Sequence, residues 1–136
     1  MKIIIPGVPV GKGRPKFSTF GGYPKAYTPV KTVNYENLVK IAFQQTGEQP
    51  FERETQLRAE ITAFFQIPKS TSKKKLYEMQ NGLLLHTKKP DCDNVAKSIL
   101  DALNGLAYYD DAQICQLTVC KLYSNEPRAE VVIKEI

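Results

Sequence analysis

The stretch KKPDCDNVAKSILDALNGLAYYDD, residues 88–111, decides how this chain is organised. Pro90 disfavours a helical conformation in the residue before it, so a new helix is expected to begin after it, with Asp93 or Asn94 as its cap. Asn104-Gly105 is a typical helix end. The apolar residues of this stretch recur at helical spacing, and they are Val95, Ile99, Leu103 and Leu106. The stretch therefore predicts one amphipathic helix, followed by a strand over QICQLTVCKLYS.

The same stretch is acidic in a chain whose net charge is +5. Its aspartates are Asp91, Asp93, Asp101, Asp110 and Asp111, and the only cation between residues 91 and 111 is Lys97. Four-residue steps put Asp93, Lys97 and Asp101 on one stripe of the helix. A strand that packs against the helix is expected to return Asp110 or Asp111 to the neighbourhood of Asp91. The pattern thus predicts that three or four carboxylates converge.

Converging carboxylates repel one another unless a cation, hydrogen-bond donors or water separates them. Oxygen ligands of this kind suit Mg²⁺, with Mn²⁺ as the alternative, and such ions assist phosphodiester hydrolysis. Lys97 could then orient a water molecule or offset charge on the phosphate. A plainer interpretation makes Asp93 a helix cap and Asp110-Asp111 a turn, with no metal. The density of aspartates favours the metal site, and the plainer interpretation stays open.

The runs DCDNVAKSILDALNG and YYDDAQI resemble the signature of the RusA family of Holliday junction resolvases. In that family a D-x-D-N-x-x-K segment opens a helix and D-D-x-Q-[VI] begins the next strand. The resemblance implies a small homodimeric, Mg²⁺-dependent endonuclease that cuts four-way junction DNA in recombination and repair and is often encoded by phages or prophages. It implies metal binding by Asp91, Asp93 and Asp111, with Lys97 assisting. Asp110 and Asp101 are expected to support them, and no organic cofactor is expected.

Basic residues flank the acidic stretch in sequence. Residues 1–31 carry six cations and no acid, and residues 69–89 carry six cations with Glu78 alone. A polyanionic partner fits this distribution. The residues expected to contact DNA are Lys12, Arg14, Lys16, Lys25, Lys73, Lys74, Lys88 and Lys89.

Aromatic residues interleave with the cations in the Gly/Pro-rich loop or hairpin at residues 11–29, and they are Phe17, Phe20, Tyr23 and Tyr27. Their rings could stack on exposed bases, or they could pack on the core. The sequence leaves both open.

The order strand, helix, strand, short helix, motif helix, strand, strand predicts one α+β domain over residues 1–136, with a mixed, mostly antiparallel sheet packed against helices. No apolar run is long enough to span a membrane, and we expect a cytoplasmic protein. Three cysteines and one histidine argue against a disulfide framework and a histidine-based zinc site. The alternative function is that of a non-catalytic DNA-binding recombination protein of the same fold. A third interpretation is a domain whose aspartates only cap helices and turns.

Overall fold

The computed structural model describes residues 1–19 and 21–136, and it is a single α+β domain as predicted. Four strands form the main sheet, two short strands form a separate hairpin, and helices cover one face of the main sheet. In chain order the elements are β1 (Lys2–Pro6), β2 (Lys16–Ser18), β3 (Lys25–Tyr27), α1 (Val30–Thr46), β4 (Leu57–Gln66), α2 (Lys73–Gln80), α3 (Cys92–Leu103), a 3₁₀ turn (Asp111–Gln113), β5 (Ile114–Ser124) and β6 (Arg128–Glu135). None of the described helices is long and apolar enough to cross a bilayer.

The main sheet has the strand order β1-β6-β4-β5. The pairs β1/β6 and β6/β4 are antiparallel, whereas β4 and β5 run parallel. The prediction of a mixed, mostly antiparallel sheet is therefore confirmed. Because β4 and β5 are parallel, the chain between them must cross from one end of the sheet to the other, and α2 and α3 lie in that crossover.

The core lies between one face of the sheet and the helices. Alternate residues of β4 are buried on this face, from Leu57 to Phe65, as period-2 patterning requires. Helix α3 contributes its apolar stripe to the same core, with Val95, Ile99 and Leu103 fully buried, and it contacts α1 and β5. Helix α1 packs against α3 and β1. The buried stripe of α3 leaves its acidic side directed away from the sheet.

The turn from α3 to β5 is held by specific hydrogen bonds rather than by packing alone. Tyr108 is fully buried, and its hydroxyl donates to the carbonyl of Leu100 at 2.6 Å. The Gln113 side chain accepts from the N–H groups of Tyr109 and Asp110 and donates to the carbonyl of Glu52 at 2.9 Å. The turn is therefore tied both to α3 and to the loop before β4.

Tyr108→Phe should lower the free energy of unfolding by about 1–2 kcal/mol, because it leaves the buried Leu100 carbonyl without a donor. Tyr35→Phe is the matched control: the Tyr35 ring is equally a core residue, and within the described residues its hydroxyl has no hydrogen-bond partner. That substitution should be neutral or stabilising. Urea unfolding of both variants measures the difference, and equal losses would contradict the role given to the Tyr108 hydroxyl.

Candidate active site

Asp91 is the N-cap of α3, with an extended backbone at φ −69° and ψ 156°. Its carbonyl accepts the first helical hydrogen bond from Val95 N at 3.0 Å. The prediction that Asp93 or Asn94 caps the helix was wrong, because the backbone carbonyl of Asp91 begins the helix and its side chain makes no capping bond. The carboxylate of Asp91 is exposed, as is that of Asp93 in the first turn. Both are therefore accessible to a ligand, and the helix dipole favours negative charge there.

Lys121 of β5 fixes the chain immediately before Asp91. Its ammonium donates to the carbonyls of Lys88 at 2.5 Å and Pro90 at 2.6 Å. The N–H of His86 in turn donates to the carbonyl of Lys121 at 3.2 Å. The N-terminus of α3 is thus attached to the last part of β5.

The side chain of His86 packs against β4 and β5 beside this attachment. Its ring stacks on Phe65, with centroids 3.8 Å apart. Desolvation by burial, then the charges of Lys121 and Lys88, hold the pKa of His86 below its ordinary value. The neutral ring is therefore the form that this packing favours.

A cleft of about 400 Å³ opens beside Asp91. Lys31 and Lys89 lie on its wall together with the carboxylate of Asp91. Gly11 forms another part of the wall, where an added Cβ would stand 2.7 Å from the Cβ of Pro90. Only glycine lets the loop approach the start of α3 so closely, and the N–H of Lys12 uses that approach to bond the Asn94 carbonyl at 2.8 Å.

Lys12 is held by two carboxylates. Its ammonium lies 2.5 Å from Glu36 on α1 and 3.3 Å from Asp101 on α3, with only 20% of its side chain exposed. Burial alone lowers the pKa of Lys12, but hydrogen bonds and charges from Glu36 and Asp101 outweigh it, so the pKa lies above its ordinary value. The prediction that Lys12 contacts DNA stays a prediction, and the structure shows that its ammonium joins α1 with α3.

Asp111 lies at the opposite end of α3. Its N–H donates to Oδ1 of Asn104, the C-cap of the helix, at 3.0 Å. Partial desolvation, a hydrogen bond and the charge of Asp110, and the charge of Asp101 raise the pKa of Asp111. The mutual repulsion of these three carboxylates makes this end of α3 attractive to a cation.

Asp110 behaves differently from its neighbour. Its carboxylate accepts from Ala112 N at 2.9 Å, and with Gln113 it forms a capping box on the 3₁₀ turn. The turn interpretation of the sequence therefore describes Asp110 well. The capping box belongs to Asp110, whereas the N–H of Asp111 is bound by Asn104, so the two adjacent aspartates have distinct roles in the fold.

The expected convergence of Asp91, Asp93 and Asp111 does not occur within one chain. A helical rise of about 1.5 Å per residue puts the two caps of α3, Asp91 and Asn104, roughly 20 Å apart. The strand gives a similar distance, since Lys121 contacts Pro90 while β5 begins at Ile114, roughly 23 Å away at about 3.3 Å per residue. Magnesium needs oxygen ligands at about 2.1 Å, so these three side chains of one chain cannot share an ion.

In keeping with this separation, the described part of the chain holds no group of three or more Asp, Glu, His or Cys side chains arranged for a metal ion. The ligand chemistry fits a hard cation at each end of α3, but the set within one chain is incomplete. Lys97 is exposed on α3 between Asp93 and Asp101, on the stripe predicted from the four-residue spacing.

The other predicted DNA-contacting cations are exposed, in three places. Arg14, Lys16 and Lys25 belong to the β2/β3 hairpin and its approach. Lys73 and Lys74 start α2. Lys88 and Lys89 directly precede Asp91, beside the cleft.

Three described aromatic residues of the hairpin are exposed rather than packed on the core. Phe17, Tyr23 and Tyr27 are 73%, 74% and 48% exposed. Phe20 lies outside the described residues. The sequence left open whether the aromatic rings stack on bases or pack on the core, and packing on the core is wrong for these three rings.

Three site residues escaped the sequence analysis, namely Glu36, Asn104 and Lys121. Glu36 pairs with Lys12 across 24 residues of sequence, and no local sequence pattern predicts such a pair. Lys121 interrupts an otherwise uncharged strand, which was the available signal. Asn104 was recognised as a helix end but not as the residue that holds Asp111.

The fold and site define a small α+β protein with an exposed acidic helix end set among cations, a class to which metal-assisted nucleases belong. The model of the family described as endodeoxyribonuclease RusA matches residues 6–134. This chain belongs to that family.

Two relatives are similar to this chain, and one of them carries the name of the family. "Crossover junction endodeoxyribonuclease rusA" of Lactococcus phage r1t is 32% identical over 106 residues, which cover 77% of this chain and 73% of that protein. "Uncharacterized protein YqaN" of Bacillus subtilis (strain 168) is 38% identical over 138 residues, which cover 100% of this chain and 96% of that protein.

Lys12→Met should lower the free energy of unfolding by about 2–3 kcal/mol, because Glu36 and Asp101 lose their shared cation in a partly buried site. Lys16→Met is the matched control, since Lys16 is exposed on the hairpin. Urea unfolding should show little change for Lys16→Met, whereas DNA titrations at several salt concentrations should show its salt slope reduced by about 0.9. If Lys12→Met is as stable as wild type, the two ion pairs of Lys12 with Glu36 and Asp101 do not hold the helices together.

His86 should make stability depend on pH in the weakly acidic range. Its folded pKa lies below the ordinary value of 6.5, so the unfolded chain binds more protons between these two values. Stability is then complete above about pH 6.5 and falls as the pH drops through that window towards the folded pKa. His86→Phe keeps the stacked ring and should remove this dependence in urea unfolding at pH 5 to 7.5; an unchanged slope would assign it to other groups.

Proposed function

We propose that this protein is a structure-selective endonuclease that resolves four-way DNA junctions as a homodimer, with Mg²⁺ as its cofactor and Mn²⁺ as a substitute. Family membership and the name of the phage relative support junction cutting. The observation that carries the proposal is the free carboxylate of Asp91 at the N-terminus of α3, beside a cleft that Lys31 and Lys89 make basic. Such a cleft attracts a phosphate, while the carboxylates attract a metal ion.

The working site is shared between two copies in this proposal. Asp91 and Asp93 of one copy form one half, and Asp111 of the other copy forms the second half. This division follows from the roughly 20 Å between the ends of α3 in one chain. Dimerisation also suits the substrate, because a four-way junction has approximate two-fold symmetry and a two-fold dimer presents the same site to two equivalent strands.

The chain's own residues would bind and orient the DNA. Arg14, Lys16 and Lys25 would contact phosphates, and the exposed rings of Phe17, Tyr23 and Tyr27 would stack on unpaired bases at the branch point. Lys97, on the same stripe as Asp93, would lie beside the phosphate to be cut. A bound divalent ion supplies charge neutralisation for phosphodiester hydrolysis.

A second candidate is a binding protein of the same fold that does not cut. The accessible carboxylates of Asp91 and Asp93 argue against it, since they repel DNA and make no capping bond that would explain their presence. Purified protein incubated with labelled four-way junction and matched linear duplex, with Mg²⁺ and with chelator, separates the two. We expect cutting of the junction alone and only with Mg²⁺; equal cutting of both DNAs would indicate a general nuclease, and binding without cutting would support the second candidate.

Asp91→Asn, Asp93→Asn and Asp111→Asn should each abolish or severely reduce junction cleavage while junction binding in chelator is kept or strengthened, because each removes a negative charge near the phosphate. Asp110→Asn is the matched control, since Asp110 accepts a hydrogen bond that an asparagine oxygen can also accept. It should cleave at nearly the wild-type rate. Cleavage by all three other variants at that rate would overturn the assignment.

A further inference from the structure

The outer edge of β5 is the longest unpaired strand edge in the described sheet. Strand β5 has eleven residues and stands last in the strand order, next to β4. Its second half is covered, because His86 N donates to the carbonyl of Lys121 and α2 packs nearby. Its first half is open, and Cys115 to Thr118 are all exposed. Residues 114–120 therefore present backbone donors and acceptors to the outside.

The opposite edge of the sheet is protected and this one is not. Strand β1 has five residues, begins with the cation Lys2 and ends with Pro6, all features that discourage further strand pairing. Residues 114–120, ICQLTVC, contain no charge and no proline. An edge of this length and composition normally pairs with another strand.

Leu117 shows that a partner must also supply apolar surface. It stands in register with Ala59, which is fully buried, so both side chains lie on the helix-covered face of the sheet. Yet Leu117 is 46% exposed, so the helices leave its side chain only partly covered. Pairing of this edge with another strand would cover it.

We propose that residues 114–120 of β5 pair in antiparallel fashion with the same residues of a second copy, about a two-fold axis at Leu117. The inference rests on the proposed homodimer and supplies its interface. A second copy fits this edge because the strand is self-complementary: with Leu117 on the axis, Cys115 lies opposite Val119 and Gln113 lies opposite Lys121. Both uncharged halves then pair in full, and the covered part of each strand stays outside the ladder.

Charge complementarity at the ends of this ladder supports the same partner. Asp110 and Asp111 immediately precede β5, whereas Lys121, Lys88 and Lys89 gather at the end of its open part. Antiparallel pairing about Leu117 places the acidic turn of each copy beside the basic group of the other. Parallel in-register pairing would instead place the acidic turns of the two copies side by side.

A charge-swap pair tests the axis directly. Leu117→Lys and Leu117→Glu each put like charges opposite one another at the axis, so each variant alone should be monomeric by light scattering at a concentration where wild type is dimeric. An equimolar mixture should restore a dimer. Ile4→Lys is the matched control, because Ile4 is 51% exposed on the other edge strand, and it should leave the wild-type mass unchanged.

A cross-link supplies a second measurement that does not require a disruptive charge. In a background with Cys92, Cys115 and Cys120 changed to Ser, Leu117→Cys should form an intermolecular disulfide on mild oxidation, whereas Ile4→Cys should not. Dimers in both Leu117 charge variants, or equal cross-linking at the two positions, would overturn the edge proposal.

The edge proposal and the proposed function fail in different ways. A wild-type dimer that survives both charge variants and still cuts junctions refutes the β5 edge and leaves the function intact. A wild-type monomer that cuts junctions at full rate refutes the homodimer and the edge with it. Restored dimer in the mixture without any junction cleavage by wild type confirms the edge and refutes the nuclease.

Discussion

The rigid length of α3 is the constraint on which the functional interpretation depends. The helix is fixed at its start by Lys121, which binds the carbonyls of Lys88 and Pro90, and at its end by the buried hydroxyl of Tyr108. Between these attachments its apolar stripe lies on the sheet, so neither end can swing towards the other. The acidic groups at residues 91–93 and at residue 111 are consequently separate features of one chain, each attached to the same helix.

The loop at residues 11–13 connects the outer hairpin to this helix. Gly11 packs against Pro90, and Lys12 bonds Asn94 through its backbone and Asp101 through its ammonium. Glu36 adds α1 to the same cluster. The exposed cations and rings of the hairpin are therefore held at a defined position relative to the α3 N-terminus. Such an arrangement suits a protein that must place one phosphate of a branched DNA beside one pair of carboxylates.

The sequence predicts features that depend on neighbouring residues and misses those that depend on distant ones. The helix of residues 92–103, its end at Asn104 and the mixed sheet follow from periodicity and turn residues, and the structure confirms them. The predicted position of the helix cap was wrong because the first helical hydrogen bond is accepted by the backbone carbonyl of Asp91, which no side-chain pattern reveals. The pairing of Lys12 with Glu36 was missed because the two residues are 24 positions apart in sequence. The prediction that the aspartates converge was wrong. A strand that follows a helix and runs back along it begins near the end of the helix, so the start of β5 lies far from the start of α3.

The most direct test is complementation between two inactive variants. Asp93→Asn and Asp111→Asn are mixed under conditions that exchange subunits, and nicking of a four-way junction is compared with each variant alone. In a shared site, the mixed dimer combines Asp91 and Asp93 of the Asp111→Asn copy with Asp111 of the Asp93→Asn copy, so one intact site forms. We predict that nicking returns in the mixture, with one strand cut per dimer. If each chain held its own complete site, both sites of the mixed dimer would be defective, and absence of nicking in a verified mixed dimer would contradict the account.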